Sequence, residues 1–156
     1  MSVDVEQERR PADDERRRWM GVIARAGAAG IAARLADAPP LPPHTRLRGP
    51  ETGLVMVRGR AGGDGAPFNL GEMTVTRCAV RLGDGTVGHA YLAGRDHRGA
   101  ELAAALDAAL QHPPRRAALL AAVVEPLAAE QAEARAATAR KAAATRVRFL
   151  AMETTR

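Results

Sequence analysis

The stretch Met73–Ala93, MTVTRCAVRLGDGTVGHAYLA, decides the fold. Two runs rich in Val, Thr, Ala and Leu flank Gly83-Asp84-Gly85. An Asp-Gly pair between alternating apolar residues is a strong short-range signal for a β-hairpin, because the glycine supplies the positive φ a tight turn needs. A loop of two or four residues places Leu82 opposite Val87, and then Val80 opposite His89 and Cys78 opposite Tyr91. Under that pairing Thr76, Cys78, Val80 and Leu82 share a core face with Val87, His89, Tyr91 and Ala93. The opposite face carries Val75, Arg77, Ala79 and Arg81 beside Gly88, Ala90 and Leu92, with open space over the two arginines. A three-residue loop with a bulge would undo this assignment.

Upstream of the hairpin, Leu54–Arg60 is a β-rich run and Gly62-Gly63-Asp64-Gly65 a turn leading to a strand that starts near Phe68. An antiparallel sheet from about Thr45 to Ala93 is expected. Pro39, Pro40, Pro42 and Pro43 force an extended connector before it. Earlier still, Asp13 or Asp14 caps a helix to about Ala26, with Trp19, Val22 and Ile23 on one face. Gly27 interrupts that helix, and a second short one carries Ile31 and Leu35 to near Asp37. Residues 1–12 are polar and charged, the composition of a disordered leader. Downstream, Asp96 caps a helix from His97 to about Gln111 with Leu102, Leu106 and Leu110 in one stripe. A helix from Pro114 to Val124 follows, and Pro126 opens a last, alanine-rich helix to about Thr145. Alternation of Val147, Phe149 and Ala151 suggests a returning strand. The fold class is α+β, with N-terminal and C-terminal helices packed on a central antiparallel sheet, in a single domain spanning 13–152.

The chain has 156 residues and a formal net charge of +5, with Lys141 as the lone lysine among arginines. Arginine forks fit carboxylates and phosphates, so the excess suits acidic surfaces or anionic ligands, although charge alone argues association and not a site. Aromatic residues make up only 3%, and alanine buries little area, so stability must come from close contacts or from a partner. One cysteine, Cys78, excludes an internal disulfide. His44, His89, His97 and His112 are too scattered for zinc spacing. No segment approaches the ~20 apolar residues of a membrane span and no signal peptide opens the chain, so a cytoplasmic protein is expected.

No motif announces a stand-alone enzyme: there is no nucleophile elbow, metal motif or phosphate loop. Four arginines are candidates for holding an anion of a substrate or a partner: Arg60 beside the glycine-rich turn, Arg77 and Arg81 on one strand face, and Arg95 where a strand meets a helix N-terminus. For Arg77 and Arg81 the competing reading is pairing with acids such as Glu72 or Glu101. Asp96 reads as a structural cap, Cys78 as a buried apolar residue and His89 as a packed one. Catalytic residues are not identifiable and no metal ligand is expected.

The ordered series Glu51-Thr52-Gly53-Leu54-Val55, Gly62-Gly63-x-Gly65, Gly71-Glu72, Thr76-Arg77-Cys78-Ala79-Val80-Arg81, Asp84-Gly85-Thr86-x-Gly88, Gly94-Arg95-Asp96 and Ala100-Glu101 resembles the PhnG family. Arg18-Trp19-Met20 and Val147-x-Phe149 fit as well, so the likeness covers about Arg16 to Met152. Glu72 stands where Asp is expected, and Leu150 where a second Phe is common. The resemblance implies an accessory subunit of the bacterial carbon–phosphorus lyase system, with no cofactor of its own. It implies work alongside PhnH, PhnI and PhnL, most directly PhnI, to displace adenine from ATP with a phosphonate. PhnJ, which carries the iron–sulfur radical chemistry, joins the core complex. A purely structural adaptor of the same complex is the alternative. A helix-turn-helix regulator is disfavoured, because the second short helix offers only Arg34 to base edges.

Overall fold

The computed structural model describes residues 11–61 and 64–146, without the side chains of Pro11 and Ala12. Residues 1–10 of the expected leader (1–12), Gly62-Gly63 and the expected strand at Val147–Ala151 lie outside the described residues, while Pro11 and Ala12 of that leader belong to the first helix. Helix α1 runs Pro11–Leu35, strands β1, β2 and β3 run His44–Gly59, Phe68–Leu82 and Val87–Ala93, and helix α2 runs His97–Leu110. Helix α3, Pro113–Leu119, passes through a π-helical turn, Leu120–Val124, into α4, Glu125–Ala144. The sheet is antiparallel in the order β1-β2-β3. The expected α+β architecture is what the chain adopts.

The β2–β3 register corrects the sequence expectation. Arg81 pairs with Val87, Cys78 with Ala90 and Thr76 with Leu92. The connection is a three-residue loop: the Gly85 N–H donates to Leu82 O, the Leu82 N–H to Thr86 O, and Gly85 sits at φ 92°. That is a turn closed by a glycine bulge, and the extra loop residue moves every β3 side chain to the other face. Gly88, Ala90 and Leu92 therefore join Cys78, Val80 and Leu82 in the core, while Tyr91 and His89 are exposed.

The core forms where α2 lies across one sheet face. Ala100, Ala103, Ala104, Ala105, Leu106, Ala108, Ala109 and Leu110 are all buried. A Cβ on Gly88 would collide with the Ala104 carbonyl and with Ala108, so glycine and alanine together let helix and sheet approach closely. Close approach thus compensates for the small area each alanine buries. Trp19, Ile23 and Ile31 of α1, with Leu119, Val123, Val124 and Leu127, complete the cluster.

Helix boundaries differ from expectation in two places. α1 starts at Pro11, with Asp13 and Asp14 inside its first turn, where carboxylates favour the positive end of the helix dipole. Gly27, at φ 66° and ψ 177°, breaks it as expected. The helices around Pro126 form one continuous rod, in which the Glu125 N–H donates to Leu120 O across five residues. The wider turn just before the proline accommodates its missing N–H and its ring.

β1 begins at His44, one residue before the expected start of the sheet, and carries the β-rich run at Leu54 back through Thr45 without a break. Register shifts between Arg46 and Arg48, and between Arg48 and Glu51, break the alternation there. Pro50 is tolerated because it falls in the second irregularity of an edge strand.

Candidate functional site

Two polar junctions, an open sheet face and a projecting ribbon emerge from this framework. The first junction is Asp96. Its Oδ1 accepts from the Gly99 N–H at 2.8 Å and its Oδ2 from the Ala28 N–H at 2.8 Å. One carboxylate therefore caps α2 and also the half of α1 that restarts after Gly27. Thr76, fully buried, accepts from the Asp96 N–H and donates to Gly94 O at 2.7 Å. Gly94-Arg95-Asp96 is thus a structural joint, and Asp96 occupies the helix N-terminus where an anion would sit.

The second junction is Asp107, buried in the last turn of α2. It accepts from Arg16 Nε and Nη2 at 3.1 and 2.7 Å, from Trp19 Nε1 at 2.9 Å and from the His89 N–H at 3.0 Å. Gln111 Nε2 donates to Val87 O at 2.8 Å. Asp107 of α2 and Gln111 at its C-cap thereby satisfy outward-pointing backbone groups of edge strand β3, which blunts that part of the edge. A largely apolar groove of about 470 Å³ opens between α1 and β3, lined by Arg16, Met20, Ala24, His89 and Tyr91 among others. Sequence reasoning missed Asp107. Its signal was an acid set within the otherwise all-Ala-and-Leu run from Leu102 to Leu110.

The uncovered sheet face carries Arg48, Glu51, Arg77, Arg81, His89 and Tyr91. Glu51 accepts from Arg77 Nε at 2.8 Å and from Arg48 Nε at 3.0 Å. Arg77 is therefore held within the subunit, but by Glu51 and not by Glu72 or Glu101. Its cross-strand neighbour is Tyr91, and that of Arg81 is Val87, so the expected open space beside Gly88 and Ala90 does not flank them. Glu101 instead takes Arg46 at 2.6 Å and His44 at 3.3 Å. Arg46, and then His44, hold its carboxyl below the usual 4.5 against the opposing effect of burial.

The four candidate arginines do not converge. Arg60 donates to Gly65 O at the tip of the β1–β2 ribbon. Arg81 pairs across to Thr45 at the opposite end of β2. Thirteen residues of strand separate Arg81 from Phe68, which at ~3.3 Å each puts the two ends about 40 Å apart. Arg95 lies past the far end of β3 and is exposed, as is Arg81. Cys78 is buried; its Sγ–H donates to Arg48 O at 3.4 Å, and burial pushes its thiol up from the ordinary 9.0. Among the described residues no group of three or more His, Cys, Asp or Glu could hold a metal ion, and no helix is long and apolar enough to cross a membrane.

The apolar side chains most open to solvent lie elsewhere. β3 pairs only with Val75–Arg81, so Leu54–Gly59 and Phe68–Thr74 continue as a two-stranded ribbon. It bears exposed Leu54, Val55, Met56, Phe68, Leu70 and Met73.

The pattern that matches this framework is the one described as "Phosphonate metabolism protein PhnG", over residues 14–154. The chain belongs to the PhnG family. A relative from Rhizobium meliloti (strain 1021), "Alpha-D-ribose 1-methylphosphonate 5-triphosphate synthase subunit PhnG", is 46% identical over 138 residues, covering 88% of each chain. The PhnG match spans α1, the whole sheet, α2 and the long C-terminal rod, so the joint at Asp96, the node at Asp107 and the ribbon all belong to the shared part.

Proposed function

We propose that this chain is a non-autonomous subunit of a ribose 1-phosphonate 5-triphosphate synthase in phosphonate catabolism, acting in the cytoplasm. The carrying observation is the 46% identity, over 88% of both chains, to a relative named as a subunit of such a synthase. In the reaction a phosphonate oxygen bonds to C1′ of the ribose of ATP as the N-glycosidic bond breaks. Adenine leaves with the electron pair and takes up a proton. The substrates, ATP and phosphonate, belong to the complex, and this subunit brings no cofactor. Its partners are the PhnH, PhnI and PhnL subunits, with PhnI the most direct, and PhnJ in the wider core.

Within the complex the chain acts mainly as an adaptor. Asp96, Asp107, Glu51 and Glu101 are engaged in internal bonds, and Arg77 is engaged by Glu51. Of the four candidate arginines, Arg60, Arg81 and Arg95 pair with no carboxylate among the described residues and remain open to an acidic partner or an anionic substrate group. Co-expression with the neighbouring subunits, omitting each in turn, tests the assignment through adenine release from ATP plus methylphosphonate. Release that needs this chain is the expected result, and an unchanged rate without it overturns the reading. Arg81→Lys and Arg95→Lys then separate roles: lost release with intact assembly marks a substrate contact, and lost assembly a partner contact.

A further inference from the structure

The ribbon poses a physical problem that the rest of the fold does not solve. Paired residues share a face, so Leu54 and Met56 lie with Thr74 and Glu72 on one side, while Val55 and Val57 lie with Met73 and Gly71 on the other. Leu54 is 61% exposed and Met56 55% on the first side; Val55 is 37% and Met73 42% on the second. Leu70, 60% exposed, is the extra residue at the register shift between Val57 and Arg58 and lies over Gly59, whose missing Cβ makes room for it. A two-stranded hairpin is marginally stable by itself in water, and this one presents apolar side chains on both faces.

We infer that this ribbon is an arm gripped on both faces by a two-walled apolar cleft in a different subunit. This rests on the multi-subunit reading above and specifies how the chain joins the complex. A second copy of the chain does not meet the requirement: stacking two ribbons about a two-fold axis covers one face of each, and pairing them edge to edge covers neither. A flat patch on a partner also leaves one face wet. The cleft has apolar walls on either side of the ribbon, each about 10 Å away as in packed sheets, so the walls stand about 20 Å apart. Gly53 and Gly71 have nothing within 4 Å of a would-be Cβ, leaving the Val55 face thin enough for a wall to approach. Arg58 is exposed near the tip and pairs with no carboxylate among the described residues, so the deep end of the cleft offers an acidic group.

Leu54→Asp and Val55→Asp test both walls, because these neighbours in sequence point to opposite faces. Each is expected to weaken capture by the co-expressed subunits about 30-fold or more, as loss of a buried anchor does. Circular dichroism and the urea midpoint of each free variant should match wild type, since neither residue belongs to the core cluster. A photo-crosslinking side chain placed at Met56 or at Met73 should reach the same partner polypeptide from either face. An effect confined to one face overturns the cleft in favour of a flat contact. A wild-type dimer that both variants dissociate overturns it in favour of a second copy. If Ala136→Asp on α4 disrupts assembly while both ribbon variants assemble normally, the alanine-rich helix is the docking element and the inference fails. Wild-type chain that never enters a complex removes the synthase reading itself, an outcome distinct from normal assembly of the ribbon variants.

Discussion

Asp107 shows how one residue can join three elements. Removing its carboxylate leaves Trp19 Nε1–H and the His89 N–H without acceptors and Arg16 without its ion pair. Asp107→Ala should therefore cost about 2–5 kcal/mol in urea unfolding, at about 1–3 kcal/mol for each of the two donors left without an acceptor. Asp107→Asn, which keeps one acceptor oxygen, should cost less than that. Glu101 makes a prediction about pH. Its folded carboxyl is held below the usual 4.5, first by Arg46 and then by His44. A lowered carboxyl contributes stability above its unfolded value, and that contribution disappears as pH falls through the folded value. The stability gap between wild type and Glu101→Gln should thus be present above the usual 4.5 and shrink as pH falls from there through the lower folded value. A gap that widens as pH falls below 4.5 would contradict the arrangement.

At the scale of elements, the joint between α1 and α2 depends on Asp96 and on Gly27. Two helix starts share one cap, so Asp96→Ala should cost about 2 kcal/mol or more, the sum of two ordinary caps. Gly27→Ala should cost about 1–3 kcal/mol, because φ 66° with ψ 177° is a region almost reserved for glycine. Thermal unfolding of both variants checks these values. Much at this scale was legible in the sequence. The Gly27 break, the Asp96 cap, the α2 stripe and the antiparallel sheet follow from local rules that tertiary contacts did not override. The β3 faces were not legible, since Gly83-Asp84-Gly85 is compatible with more than one loop length and a single residue inverts the register. The start of the sheet near Thr45 was legible, but the pairing of the first half of β1 was not, because two irregularities around Arg48 and Pro50 erase the alternation. Of the candidate arginines, the placement of Arg77 and Arg81 on one strand face was correct, but their neighbours were inverted by the same slip. Asp107 was invisible because its partners lie 18 to 91 residues away.

The whole molecule divides into a helix-covered body and an arm. The core cluster takes nothing from β1 and nothing from β2 before Cys78. Replacing residues 54–74 by Asn-Gly should therefore leave a folded body, with a urea midpoint close to wild type. Loss of cooperative unfolding in that variant would show that the arm stabilises the body. The single tryptophan adds a way to follow the two parts separately. Trp19 is 2% exposed, hydrogen-bonded to Asp107 and covered by the Arg116 guanidinium 5.5 Å from its ring centroid. Its emission should be blue-shifted in the native chain and move to longer wavelength only when the body opens. An event at the arm, where no tryptophan lies, should pass without any change in that spectrum, so this chain carries an internal fluorophore that distinguishes docking from unfolding.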